Sequence, residues 1–484
     1  MTSFFRQSPQ PRVVLGTSHH TLWPRRVALS LPEIARHKHI IGVSGSGKST
    51  FLAAYVVQLI QQGIGTSLID PQGDLAMLVM GSLADQGYFK TEQDYQKIKY
   101  VDFSNETRVP PMNVFNQPNY QDDVVAKALS DVCLRIWSSL GDGNAPTFEN
   151  IIKHAGLALV QCGLPLTEMK RFLTKKEYRD TLLQQVREPQ VIEFFQDRYD
   201  AWGKDGIEKR ESTLNRVDLF TFSPKMRAIL GTKENLLRYD TIMDSGTSVI
   251  YNLGGLDRET RRFLGAFIAY GYEKAASARD RIPESERRMH VLIMDEFSLF
   301  SAQTSEALQE ILSGARKYRL FLGLAHQDFA QTDTRLKAAL QNAATIAFQL
   351  NRDDAVWMAP RLAHFDPHDV KHMVEDEHAQ ERTHPVFTSL PEQFEKTARE
   401  LEDLPTGHCY TKFGSKVRRI VTSPYPRPRI TYKELQKITD EHAHRFLVPI
   451  PTTEQPILTA APIMQEHMVY RRLPRNEAAS PRRK

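Results

Sequence analysis

The chain has 484 residues, 41% hydrophobic and 25% charged, with a formal net charge of +5. That balance is ordinary for a soluble globular protein of two to four domains, or of one large core with a big insertion, and it suits an acidic partner such as nucleic acid. Three scattered cysteines (Cys133, Cys162 and Cys409) exclude a disulfide frame and a zinc cluster and point to reduced thiols in cytosol. No segment reaches the ~20 apolar residues of a membrane helix, and Met1-Thr2-Ser3-Phe4-Phe5-Arg6 has no signal-peptide core.

Residues 1–30, with Pro9, Pro11 and Pro24, read as an N-terminal arm with one strand near Arg12–Leu15. From about 31 to 118 the pattern is strand, loop, helix, strand, as in an α/β core. Expected parallel strands are Lys38–Val43, Gly65–Ile69, Lys97–Asp102, Ser248–Leu253, His290–Met294, Leu320–Ala325 and Thr345–Leu350. Several are nearly continuous apolar runs, as strands covered on both faces should be. Between the third and fourth, residues 119–245 read as an inserted all-α domain. There Val125, Leu129, Val132, Ile136 and Leu140 recur at helical spacing, Thr147 suits a helix cap, and Thr174-Lys175-Lys176-Glu177 suits a capping box. The core resumes over 246–425 and ends in a hairpin, Gly407–Phe413 with Lys416–Thr422. Residues 426–484 hold a final helix near 431–445 and a basic, Pro-containing tail expected to be disordered.

Gly42-Val43-Ser44-Gly45-Ser46-Gly47-Lys48-Ser49 matches the full P-loop pattern, with an apolar strand before it and a helix after it. Glycines let consecutive backbone N–H groups curl inward at phosphates, and the helix start adds its positive end. The expected phosphate contacts are Gly42, Ser44, Gly45, Ser46, Gly47, Lys48, Ser49 and Thr50. Lys48 reaches the β- and γ-phosphates, and Ser49 offers its hydroxyl to Mg²⁺.

Val291-Leu292-Ile293-Met294-Asp295-Glu296-Phe297 is an apolar strand ending in Asp-Glu, the Walker B arrangement. Asp295 is expected in the Mg²⁺ shell, and Glu296 orients and deprotonates the attacking water. Both stand beyond the carboxyl end of a strand, where ligands of parallel sheets bind. Gln327 closes the next strand, suited to sensing the γ-phosphate, and Arg316 ends the intervening helix, suited to reaching a neighbouring subunit's nucleotide. Asp70 in Asp70-Pro71-Gln72-Gly73-Asp74 serves either the Mg²⁺-water shell, a neighbouring subunit or an ordinary turn. The run Arg36-His37-Lys38-His39, with His364, His368 and His372, lacks metal spacing and reads as solvated surface.

The ordered set of the P-loop, Asp70-Pro71-Gln72-Gly73-Asp74-Leu75, Asn252-Leu253, Asp295-Glu296-Phe297, Ala315-Arg316-Lys317-Tyr318 and Ala325-His326-Gln327 resembles the FtsK–HerA superfamily of DNA-pumping ATPases. Within it the chain is most similar to the TraG/TraD-type coupling proteins of conjugative type IV secretion, over about residues 30–425. The resemblance implies a RecA-like α/β motor with a mostly parallel sheet and an all-α insertion. It implies ATP and Mg²⁺ as cofactors and a ring, usually hexameric, around single- or double-stranded DNA. Lys48, Ser49, Asp295, Glu296, Gln327 and a trans-acting Arg316 carry over as its site residues. The membrane helices that begin many coupling proteins are not seen, which implies a cytoplasmic protein, docked on a separate membrane-anchored secretion subunit or working away from membranes. The leading expectation is a motor delivering DNA with its relaxase to a secretion channel. Two others stand beside it: a HerA-like helicase partnered with a nuclease, and a nucleotide-gated cargo receptor that does not pump.

Overall fold

The computed structural model describes residues 11–19, 23–138, 145–330, 332–375, 383–423 and 428–450. The first ten residues of the expected arm and the whole basic tail lie outside the described residues.

The strands are β1 Val13–Ser18, β2 Arg26–Leu29, β3 Lys38–Ile41, β4 Gly65–Asp70, β5 Ile98–Asp102, β6 Arg108–Val109, β7 Ser248–Asn252, β8 His290–Met294, β9 Leu320–His326, β10 Ala344–Ala347, β11 Val370–Glu375, β12 Thr383–Phe387, β13 His408–Phe413, β14 Lys416–Thr422 and β15 Val448–Pro449. Eleven of them form one sheet in the order β2–β1–β14–β13–β10–β3–β9–β8–β4–β7–β5. The seven from β10 to β5 are parallel, and the other four add an antiparallel wing. The parallel strands expected from the apolar runs are all present and differ only at their ends.

Side chains alternate across this sheet, and both faces are covered. Ile40, Leu68, Ile250 and Ile293 belong to one apolar core with Phe51, Leu52 and Tyr55 of the helix Lys48–Gln61 and Val79 and Met80 of the helix Asp74–Asp85. On the other face Ser67 and Tyr251 meet Tyr272 of the helix Arg258–Ser277, with oxygen separations of 2.5 and 3.0 Å. Register aligns the carboxyl ends: Ile41 lies beside His326, Met294 beside Leu324, Ile69 beside Met294, and Asp70 beside Asn252. Residues following β3, β9, β8, β4 and β7 therefore meet on one edge of the sheet.

Between β6 and β7 the chain is helical, from Asp122–Ser138 and Ala145–Gln161 through Lys204–Thr221 to Tyr239–Ser245. Its apolar interior includes Phe172 edge-on to Phe195 at 4.9 Å and His154 stacked on Phe194 at 4.2 Å. The helix Tyr432–Phe446 covers the outer strand β5, where the buried His442 accepts the Tyr100 N–H at 3.3 Å. That contact closes an edge otherwise open to further pairing.

Several local expectations are corrected. Thr147 lies within the helix Ala145–Gln161, not at its cap. Thr174 ends the helix Met169–Thr174 and donates its hydroxyl back to the Lys170 carbonyl at 2.8 Å, so Lys175 takes the cap position of the next helix. His37, Lys38 and His39 are buried, unlike the exposed His364, His368 and His372. Lys38 is tolerated inside because its ammonium donates to the carbonyls of Ile34 (2.8 Å), Arg36 (2.9 Å) and Glu33 (3.3 Å), the end of the short helix Leu31–Ile34. Burial, with Arg36 nearby, pushes its pKa down to about 7.

Close helix packing makes one glycine testable. A Cβ at Gly271 would stand 2.2 Å from the Tyr239 ring. Gly271→Ala is expected to destabilise the fold by about 1–3 kcal/mol through overpacking. An unchanged midpoint in thermal denaturation would contradict this packing.

Candidate functional site

The strand β3 delivers the chain into a loop that only glycines can follow. Gly45 and Gly47 have φ of +80° and +99°, in the left-handed region that a Cβ disfavours. A Cβ on Gly42 would come within 2.6 Å of Phe348, and one on Gly47 within 3.0 Å of the Gly407 nitrogen. Ser46 tightens the curl by donating its hydroxyl to the Val43 carbonyl at 2.7 Å. The helix begins at Lys48, and the hydrogen bond from Phe51 N–H to Gly47 C=O opens its ladder. The N–H groups of Lys48, Ser49 and Thr50 precede that ladder and are left for a ligand. Ser44, Gly45, Ser49 and Thr50 are exposed, so the cradle is open.

Lys48 is buried, and its ammonium lies 3.1 Å from Oε1 of Glu296, the residue after Asp295 at the end of β8, two strands from β3. Gln327, at the end of the intervening β9, donates its amide to the same oxygen at 2.9 Å. The expected P-loop, Walker B and sensor residues thus converge on one carboxylate oxygen. Glu296 is held at φ +44° and ψ +44°, a conformation that costs about 1–3 kcal/mol outside glycine and clusters at functional sites. Asp295 is buried, and its Oδ1 accepts the Glu296 N–H at 3.0 Å. Burial raises its pKa to about 7; Lys48 pulls it down, while Glu296 and Asp70 push it up. A buried carboxylate beside an open phosphate cradle, with the Ser49 hydroxyl at the helix start, fits the donor chemistry of a magnesium–nucleotide complex.

Asp70 resolves as a turn residue. Its two oxygens accept the N–H groups of Gln72 (2.9 Å) and Ala76 (2.8 Å), which fixes the chain at the start of the helix Asp74–Asp85. Arg316 is the site residue that does not join the others. It stands in the turn before β9, exposed, near His37 at the amino end of β3, whose imidazole pKa is depressed by burial, then by Lys38 and by Arg316. It is therefore a strand's length, roughly 20 Å, from Gln327 at the other edge of the sheet, and cannot serve the nucleotide site of its own chain.

Two components escaped the motif reading. The loop before β13 braces the cradle: Gly407 N–H donates to the Ser46 carbonyl at 2.9 Å and Thr406 Oγ1 to the Gly45 carbonyl at 3.3 Å. Pro405-Thr406-Gly407 reads locally as a turn, and no local signal joins it to residues some 360 positions earlier. The second is a buried pair, His39 Nε2 and His326 Nε2, 2.7 Å apart, linking the strand before the P-loop to the residue before Gln327. His326 directs Nδ1 at the Asp328 carbonyl and must donate there, so its Nε2 accepts the hydrogen bond that the His39 Nε2–H donates. Burial holds both imidazoles neutral, that of His326 at a pKa of about 3.

A glycine loop on a parallel-strand end, with acid pair and sensor on the next two strands, defines a RecA-like P-loop ATPase. Residues 21–270, just over half the chain, match the family described as the central domain of the helicase HerA, and the chain belongs to that family. No curated protein matches it. Among solved structures it is similar to the bacterial conjugative coupling protein TrwBdeltaN70 in its unbound form, at 16% identity over 84% of this chain and 89% of that one, with a TM-score of 0.55. The plasmid coupling protein TrwB in complex with ADP and Mg²⁺ aligns at 15% identity over 89% and 98%, TM-score 0.54. VirB4 of Thermoanaerobacter pseudethanolicus aligns at 15% identity over 87% and 98%, TM-score 0.52. At these identities the likeness speaks for the fold. No helix among the described residues is long and apolar enough to cross a membrane.

The cradle makes a specific demand of Gly47. Gly47→Ala places a Cβ at φ +99° against Gly407 and is expected to weaken nucleotide binding at least tenfold, about 1.4 kcal/mol. Titration with a fluorescent nucleotide checks this, and unchanged affinity would contradict the cradle geometry.

Proposed function

We propose that this chain is an ATP-driven DNA motor of the coupling-protein kind. The observation that supports the reading best is the convergence of Lys48 and Gln327 on Glu296. Without nucleotide, Lys48 and Gln327 hold the glutamate at rest. When a triphosphate enters, Lys48 turns to its β- and γ-oxygens, and the N–H groups of Gly45, Gly47, Lys48, Ser49 and Thr50 close on the phosphates. Ser49 and Asp295 hold the metal shell. Bound magnesium supplies charge neutralisation at the phosphate oxygens. Glu296, released from Lys48, accepts a proton from the attacking water while Gln327 orients at the γ-phosphate. Arg316 acts on the nucleotide of an adjoining protomer, a contribution of roughly 10³–10⁵ in rate for such arginines in other systems. That arrangement needs a ring-forming homo-oligomer, and a hexamer with DNA in its channel is the assembly proposed.

The likeness in fold to coupling proteins supports a cytoplasmic motor that hands DNA and an attached relaxase to a separate membrane-anchored secretion subunit. The family match to HerA favours a second reading, a helicase working with a nuclease. Co-purification from the native host separates them: relaxase and channel subunits support the first, a nuclease the second.

Single- or double-stranded DNA is expected to stimulate ATP hydrolysis severalfold, in a manner weakened by salt. Glu296→Gln is expected to retain nucleotide binding and to reduce turnover at least a hundredfold. Hydrolysis that ignores DNA, or survives in the variant, would overturn the proposal.

A further inference from the structure

Arg316 sits on a surface turn whose backbone is pinned at three successive carbonyls. The Arg316 carbonyl accepts the N–H of Arg319 at 3.0 Å, with Arg319 itself at φ +63°. The Lys317 carbonyl accepts from the Arg287 guanidinium at 2.7 Å, and the Tyr318 carbonyl from the Arg279 guanidinium at 3.0 Å. The Tyr318 hydroxyl adds a bond to Asp280 at 3.2 Å. Arg279 is only 2% exposed. Its Nε donates to Asp244 at 2.9 Å, its Nη2 lies 2.7 Å from the same carboxylate oxygen, and its Nη1 also reaches the Arg288 carbonyl at 2.8 Å. The Arg316 side chain, by contrast, is exposed, with no hydrogen bond or ion pair among the described residues.

A buried guanidinium is costly unless its donors are satisfied. Here Nε is satisfied by Asp244 at the end of one helix and Nη1 by the loop leading into β8 and by the turn that carries Arg316, while Nη2 keeps only its ion-pair contact with Asp244. Asp244, moreover, belongs to the helix Tyr239–Ser245, the last of the helical stretch between β6 and β7. We propose that Arg279 is a positioning residue for hydrolysis in the neighbouring protomer, holding the turn that presents Arg316 and tying it through Asp244 to the helical region. This rests on the reading of Arg316 as acting in trans. The guanidinium of Arg279 touches no nucleotide; it narrows the directions in which Arg316 can point. Movement of the helix Tyr239–Ser245 on engaging a partner is then felt first at the next subunit's site.

Complementation between inactive protomers tests this. Arg279→Gln alone is expected to lower ATP turnover at least tenfold while its own nucleotide affinity stays within about twofold of the parent, because its cradle is intact. Co-assembled with Lys48→Ala, which lacks a working cradle but keeps an ordered turn, it should regain turnover severalfold above either variant alone. Arg316→Ala with Lys48→Ala should recover to the same degree. If that control recovers and Arg279→Gln does not, Arg279 acts within its own chain and the proposal is overturned. If the control itself fails, the trans role of Arg316 is wrong, and the proposal falls with it. Should Arg279→Gln not fold, Asp244→Asn, at the partly exposed partner of the same contact, takes its place in the same mixtures with the same expected recovery.

Discussion

The contact between Lys48 and Glu296 is the constraint on which the site depends. The side chains are 6% and 13% exposed and stand 3.1 Å apart. Removing one partner of such a buried pair typically costs about 3–5 kcal/mol, because the other charge is left uncompensated. Lys48 therefore needs an anion in every state, and the proposed mechanism supplies Glu296 when the cradle is empty and phosphate oxygens when it is filled. A single charge-compensation rule ties substrate arrival to release of the proposed base. The pair exists only because β3, β9 and β8 are neighbours in a fixed register, with Ile41 beside His326 and Leu324 beside Met294. A slip of one residue would turn Glu296 and Gln327 to the wrong face.

The two edges of the sheet have different chemistry. At the carboxyl ends lie the glycine loop, the acid pair, Gln327 and the bracing turn at Thr406 and Gly407. At the amino ends lie buried His37 and Lys38 and the pinned turn of Arg316. Neutral His39 and His326 link neighbouring strands beneath the first edge, where a charged imidazole would meet the field of Lys48. In the proposed assembly the two edges serve two different nucleotides, and parallel strands buried on both faces supply a stiff sheet between them.

Much of the site was legible in the sequence because its parts are local: a glycine loop between strand and helix, and polar residues ending apolar strands. Gly42–Ser49, Asp295, Glu296 and Gln327 needed no tertiary information to be found. What was hidden depends on how the chain curls, even where the partners are near in sequence. Asp70 looked as fit for a metal shell as for a turn until Gln72 and Ala76 were seen to donate to it. Lys38 looked solvated because residue types alone do not show the turn that folds the carbonyls of Glu33, Ile34 and Arg36 over its ammonium. Thr174 carries a cap signature, but its hydroxyl finds the preceding turn first. The brace at Gly407 and the mounting of Arg316 arise from chain segments far apart in sequence, which periodicity does not report.

The most direct measurement is an experimental structure of the chain with magnesium and a non-hydrolysable ATP analogue. The account predicts Lys48 Nζ on the β- and γ-phosphate oxygens, and Glu296 more than 4 Å from it and facing the γ-phosphate. Analogue bound in the cradle with the Lys48–Glu296 contact still at 3.1 Å would contradict the claim that substrate releases the base.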